Sequence, residues 1–185
     1  NRSDFRRLTS FVVILRRRPR TLTRIASAPI TAWDTGKVLP GTESITPGPG
    51  IDLSGWNTPG HQLESAKLSS LDLSNATFAN SDLTYASFSY SNLTNADLTG
   101  ATVKGAYFTS STGFTAPQLY STASYANPNL AGTQLDRLNL TAWNFADPNL
   151  PAVSSSQSTV TTAHFPVPQL TPPPFSNAPS TNGYS

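Results

Sequence analysis

Residues 61–110 read HQLES AKLSS LDLSN ATFAN SDLTY ASFSY SNLTN ADLTG ATVKG AYFTS, ten consecutive blocks of five. The central residue of each block is apolar: Leu63, Leu68, Leu73, Phe78, Leu83, Phe88, Leu93, Leu98, Val103 and Phe108. Two residues before each centre stand His61, Ala66, Leu71, Ala76, Ser81, Ala86, Ser91, Ala96, Ala101 and Ala106, most of them small, and the residue after the centre is usually Ser or Thr. A helical period of 3.6 would smear these centres around a cylinder, and a strand period of 2 would alternate them between two faces. Five residues must instead build one segment of a coil, and a fixed short period held this long is the signature of a solenoid.

The blocks Ser81-Asp82-Leu83-Thr84-Tyr85, Ser91-Asn92-Leu93-Thr94-Asn95 and Ala96-Asp97-Leu98-Thr99-Gly100 closely resemble the A(D/N)LXX signature of pentapeptide-repeat proteins. The resemblance implies an all-β solenoid, a right-handed quadrilateral β-helix with four units per coil, in which the central Leu/Phe and the small residue two before it both point inward. Residues twenty apart then stack. The implied columns are Leu63, Leu83, Val103; Leu68, Phe88, Phe108; Leu53, Leu73, Leu93; and Phe78, Leu98. Stacked coils lie about 4.8 Å apart, the spacing of neighbouring strands.

Carried backwards in phase, the beat reaches Leu53 and Thr58, where Pro59 and Gly60 weaken the unit. Ile51, Trp56 and Leu71 are the larger inward residues of this first, degenerate coil, as befits the end of a repeat array. After Phe108 the beat stops and returns at Leu130, Leu135, Leu140, Phe145 and Leu150, each preceded by Asn or Gln. Two residues before these centres stand Pro128, Thr133, Leu138, Trp143 and Pro148, large or rigid, so this second run is read as wider or distorted coil. The interruption predicts one short helix from about Ala116 to Ala123. Thr115 and Gln118 form a capping box, Phe114 and Leu119 a hydrophobic staple, and Pro117 is tolerated in a first turn.

The chain divides into an Arg-rich arm over 1–32, a lead-in segment over 33–50, repeats over 51–110, a helical insertion over 111–127, a second run over 128–150 and a tail over 151–185. Residues 1–30 hold eight of the twelve Lys+Arg and one acid, giving +7; residues 31–150 hold four bases and nine acids, giving −5. The overall +2 and basic pI therefore describe no actual surface, and they do not make the body a nucleic-acid binder. Phe11 to Leu15 is too short an apolar run to span a bilayer. Ala26-Ser27-Ala28 resembles the end of a secretory signal, so the arm is read as disordered, as a signal remnant or as a non-native flank, with a secreted or cell-surface location as one reading. The Ser/Thr/Pro-rich tail shows no five-residue beat and is expected to be disordered or PPII-like. The absence of Cys excludes disulfides, a Cys nucleophile and thiolate metal sites.

No catalytic, cofactor-binding or metal-ligating residue is assigned. Asp34-Thr35-Gly36 is the aspartic-protease triplet, but a single copy without a partner aspartate reads as a turn into the solenoid. His61 and His164 are the only histidines, one inward in the first coil and one in the tail, which supports neither a triad nor a His metal site. The sequons at Asn75, Asn92 and Asn139 are by-products of the repeat. Three functions stay open: a non-catalytic scaffold binding an unknown protein partner through the solenoid surface; a DNA mimic that binds a type II topoisomerase, for which only Asp52 and Asp72 stack among outward acids; and nucleic-acid or anionic-membrane binding through the arm.

Overall fold

The computed structural model describes residues 28–145 and 153–164. Between 63 and 112 the backbone repeats one plan: a single parallel bridge at the residue before each apolar centre, then a two-residue turn. Lys67 bridges Ser87, which bridges Tyr107; Asp72 bridges Asn92, which bridges Thr112; Thr77 bridges Asp97; and Asp82 bridges Thr102. Each step is twenty residues, four pentapeptides, so the chain forms stacked coils of a β-solenoid. Leu68 N–H donates to the Ser87 carbonyl at 2.9 Å and Ser87 N–H to the Ala66 carbonyl at 2.9 Å, the pattern repeated up the stack.

The turn is made by the second residue after each centre, which takes a left-handed φ: Ser65 57°, Asn75 58°, Tyr85 58°, Tyr90 63°, Gly100 68° and Gly105 65° are examples. That conformation costs an L-residue roughly 1–2 kcal/mol, and Gly, Asn and Ser supply most of these positions. What offsets the cost is the core. All ten centres from Leu63 to Phe108, and Leu53, are 0% exposed, and each such side chain contributes about 1.5–3 kcal/mol on burial. Ala66, Ala76, Ala86, Ala101 and Ala106 are equally buried. Phe78 meets Phe88 edge to face at 5.3 Å, Phe88 stacks on Phe108 at 5.3 Å, Phe108 stacks on Phe114 at 4.2 Å, and Trp143 closes on Phe114 at 5.7 Å.

The first coil differs from its sequence reading. Asp52 bridges Thr77, and Leu53 N–H donates to the Thr77 carbonyl at 2.8 Å, so Leu53 belongs with Phe78 and Leu98 and not with Leu73 and Leu93. The cause is a hairpin of β1 (Asn57–Thr58) and β2 (His61–Gln62). Asp82 receives its backbone bonds from both sides of this hairpin: its N–H donates to Trp56 O at 2.8 Å, and its carbonyl accepts from Leu63 N–H at 3.2 Å. Residues 57–62 thus occupy the place of one residue, an excess of five that leaves the sequence beat in phase while shifting the stacking. Thr58 and His61 are consequently exposed on the hairpin instead of inward, with the His61 ring edge-on to Trp56 at 5.2 Å.

The boundary of the arm also moves. Ile30 is 1% exposed, and Ala32 pairs antiparallel with Ala66, so residues 28–32 belong to a cap on this end of the solenoid. Thr31 pairs with Val38, and the Asp34-Thr35-Gly36 triplet makes the turn between them, closed by Gly36 N–H to Ala32 O at 2.8 Å. Residues 1–27, with the basic run and all of the signal-like end except Ala28, lie outside the described residues.

The insertion holds two helices where one is expected: α1 (Ala116–Tyr120) and α2 (Ala123–Ala126). Thr115 N–H and Oγ1 donate to Gln118 Oε1 at 2.8 and 2.9 Å, and Leu119 is fully buried. Thr122 starts α2 by accepting from Tyr125 N–H at 3.1 Å, a second cap that ends α1 early. Gln118 Nε2 donates to the Leu93 and Ala96 carbonyls, both at 2.8 Å, which seats the insertion on the coil below. The stack then resumes with Tyr107 bridging Gln134.

Leu130, Leu135 and Leu140 are 0% exposed and Phe145 2%, with Thr133, Leu138 and Trp143 also buried; Leu150 lies outside the described residues. The tail reading needs correction. Residues 153–164 form a further coil: Gln134 bridges Ser154, Asn139 bridges Thr159, and Asn144 bridges His164. Ser155 and Val160 hold the beat in phase with Leu150, and Ser155 is 5% exposed. A serine at the first centre hides the repeat from a search for apolar residues.

Candidate interaction surface

One row of bridges is longer than the rest: Val38–Thr31, Ala32–Ala66, Lys67–Ser87–Tyr107–Gln134–Ser154. It runs from the cap, stepping past the helical insertion from Tyr107 to Gln134, to the last described coil. The exposed large apolar residues among those described are Trp33, Val38, Tyr85 and Tyr90, at 45%, 43%, 42% and 60%. All four belong to this row or to the turns beside it, Tyr85 and Tyr90 bracketing the unit that contains Ser87.

Three of the aromatic groups are fixed in place. Trp33 Nε1–H donates to the Tyr85 carbonyl at 2.7 Å, and the Trp33 ring stands edge-on to Tyr107 with centroids 5.4 Å apart. Tyr85 lies over Gly105, where an added Cβ would come within 2.4 Å of its ring. The repeat accounts for the tyrosines only as residues at turn or bridge positions. Trp33 reaches them because antiparallel pairing folds the cap back, a relationship no five-residue pattern encodes. Beside the cap lies a recess of about 270 Å3 whose walls include Asp34, Thr35, Gln62 and Glu64.

The acids elsewhere on the coils serve the backbone. Ser54 N–H and Oγ donate to Asp52 Oδ1 at 2.9 and 2.7 Å, Ser74 N–H to Asp72 at 3.1 Å, and Thr99 N–H to Asp97 at 2.9 Å. Asn92 does the same for Thr94 at 3.1 Å and Asn139 for Thr141 at 3.1 Å. Asp or Asn before the centre and Ser or Thr after it are thus two halves of one local turn. The Ser54 hydroxyl, then its N–H, hold the Asp52 carboxyl below its ordinary value. For Asp72 the Ser74 N–H leads, followed by the Ser74 hydroxyl, and for Asp97 the Thr99 hydroxyl leads.

Stacking of Asp52 on Asp72 does not occur: Asp52 faces Thr77, and Asp72 faces Asn92, whose Nδ2 donates to it at 3.0 Å. Asp34 lies on an exposed turn, and His61 and His164 lie on separate coils. Among the described residues there is no cluster of three His, Cys, Asp or Glu placed to hold a metal, and no helix long and apolar enough to cross a membrane.

Residues 62–100 and 78–112 match the family model described as pentapeptide repeats, with eight copies. The coils of this stretch and that match define the class of the segment: residues 62–112 are an array of pentapeptide repeats. Proteins of this family are generally non-catalytic scaffolds or interaction proteins. No curated protein matches the chain.

Proposed function

We propose that this chain is a non-catalytic interaction scaffold, a right-handed quadrilateral β-helix that presents its Trp33–Tyr85–Tyr107 surface to a protein partner. The observation carrying this reading is the gathering of the four exposed large apolar residues along one row of a rigid frame. Pre-positioned aromatic rings bury much area on binding and lose little conformational entropy in doing so. Duplex mimicry has less behind it. Acids are sparse along the rows, two of three in Asp52–Thr77–Asp97 and one of three in Asp72–Asn92–Thr112, whereas a duplex presents one charge per about 1.7 Å.

The test is cross-linking and affinity capture with the full chain beside a Tyr85→Ser/Tyr90→Ser variant of unchanged melting temperature. Binding to a defined protein is expected for the parent and lost in the variant; equal capture by both removes the surface from the proposal. Peptidase, esterase, phosphatase and glycosidase substrates should show no turnover, and peptidase activity abolished by Asp34→Asn would overturn the non-catalytic reading. DNA gyrase supercoiling should be unaffected, and dose-dependent inhibition would restore mimicry. A crystal structure with left-handed coils would remove the proposed geometry.

A further inference from the structure

The aromatic row carries hydrogen-bond donors as well as rings. Among the described residues nothing accepts from the phenol hydroxyls of Tyr85, Tyr90 and Tyr107, and Tyr85 and Tyr90 are 42% and 60% exposed. The Trp33 indole N–H, by contrast, is already taken by the Tyr85 carbonyl. Trp33 touches three successive coils: its main-chain N–H donates to Ser65 O at 2.9 Å, its indole to Tyr85 O at 2.7 Å, and its ring meets Tyr107.

The main chain of this row has nothing left to offer. Ser87 N–H donates to Ala66 O and its carbonyl accepts from Leu68 N–H; Tyr107 N–H donates to Ala86 O and its carbonyl accepts from Phe88 N–H. A partner strand therefore finds no edge to pair with. Along Lys67–Ser87–Tyr107–Gln134–Ser154 the charged member is Lys67, too few bases for an anionic lipid surface or a phosphate backbone. Recognition falls to rings and hydroxyl donors, which suit a neutral, extended, apolar chain rich in acceptors. A polyproline II segment is such a chain: its carbonyls are unpaired, and proline has no N–H to satisfy. Its turn of three residues rises about 9.3 Å, close to two coils at about 4.8 Å each, so equivalent carbonyls recur in register with alternate coils.

We propose that the Trp33–Tyr85–Tyr90–Tyr107 face binds a proline-rich polyproline II segment of its partner, the proline rings packing on Trp33 and the tyrosines while the tyrosine hydroxyls donate to the segment's carbonyls. This assignment of the partner's class rests on the interaction reading above. The stiffness of such a segment limits the entropy lost on docking.

The experiment titrates the 15N-labelled full chain with decaproline and follows the Trp33 indole N–H resonance, assigned by its loss in Trp33→Phe. A saturable shift there is expected, with the Trp56 and Trp143 indoles unmoved and no shift from a Gly/Ser decapeptide. Tyr85→Phe/Tyr90→Phe/Tyr107→Phe keeps every ring and deletes the donors, and it should bind roughly tenfold more weakly. Tyr90→Ser should also weaken binding. Serine holds the same left-handed turn at Ser65, Ser70 and Ser110, and melting curves verify that both variants fold. No shift up to roughly 1 mM decaproline overturns the proposal, as does equal affinity of the triple phenylalanine variant. A saturable shift with cellohexaose and none with decaproline overturns it in favour of a glycan. If decaproline fails while Tyr85→Ser/Tyr90→Ser still loses its protein partner, the surface stands and the proline-rich class falls. If decaproline binds while that variant keeps its partner, the proline site stands and the protein surface lies elsewhere.

Discussion

Trp33 and Tyr85, fifty-two residues apart, are joined by the indole N–H donating to the tyrosine carbonyl at 2.7 Å. This bond ties the cap to the second coil, reinforcing backbone bonds from Trp33 N–H to Ser65 O at 2.9 Å and Lys67 N–H to Thr31 O at 2.7 Å. Trp33→Phe keeps an aromatic ring near Tyr107 and removes the donor. Its expected cost is about 0.5–1.5 kcal/mol. Faster hydrogen exchange at the Trp33 and Lys67 amides, with little change at Phe88, is the signature of a loosened cap; unchanged exchange at all three would show that the indole bond contributes nothing in solution.

The five-residue beat made the core of coils 61–110 legible, because each central Leu or Phe is both the apolar residue in sequence and the buried one in space. What escaped is what the beat cannot carry. The β1–β2 hairpin inserts a whole repeat length, so Leu53 keeps its phase and changes its column. Ser155 fills an inward position without apolar character, so the coil over 153–164 went unread. Asn and Gly at Asn75, Asn80, Gly100 and Gly105 advertised the left-handed turns, but Tyr85 and Tyr90 at equivalent positions did not. The aromatic surface depends on the cap folding back onto Ala66, a long-range pairing with no local signature.

Gly105 and Tyr85 offer a double-mutant test. Gly105 has φ +65°, and a Cβ there would meet the Tyr85 ring at 2.4 Å, whereas Gly55 has φ +70° and nothing within 4 Å. Gly55→Ala should cost only the conformational term, roughly 1–2 kcal/mol. Gly105→Ala adds displacement of the ring and should cost more, with the excess disappearing in a Tyr85→Ala background. Equal urea midpoints for the two alanine variants would mean that the ring does not rest on Gly105.

Acid should weaken the coils. The folded-state values of Asp52, Asp72 and Asp97 are lowered from 3.8 by hydrogen bonds from Ser54, Ser74 and Thr99. A carboxyl with a lowered folded value binds fewer protons when folded, so its contribution is present above the unfolded value and is lost as pH falls through the folded one. Melting temperature should accordingly decline below about pH 4. Replacing the three by Asn, which makes the same turn at Asn92, should flatten that decline while changing the neutral-pH melt little. An identical acid slope in the triple variant would show that these turns are not the source.

Ser91 is 0% exposed, yet its hydroxyl is fully used: it donates to Leu68 O at 2.6 Å and accepts from Leu71 N–H at 3.1 Å, both in the coil beneath. Ser158 repeats the arrangement with Leu135 O at 2.7 Å and Leu138 N–H at 3.1 Å. Serine replaces alanine at these inward positions because the neighbouring turn leaves a carbonyl and an N–H that only a hydroxyl can reach. Ser91→Ala deletes both partners at once in a dry interior, where each orphaned group costs about 1–3 kcal/mol. Ser87→Ala removes a hydroxyl from the outer face and should stay within about 0.5 kcal/mol of the parent. Chemical denaturation of the two variants decides the matter, and a Ser91→Ala protein as stable as Ser87→Ala would mean that water satisfies the coil in place of the serine.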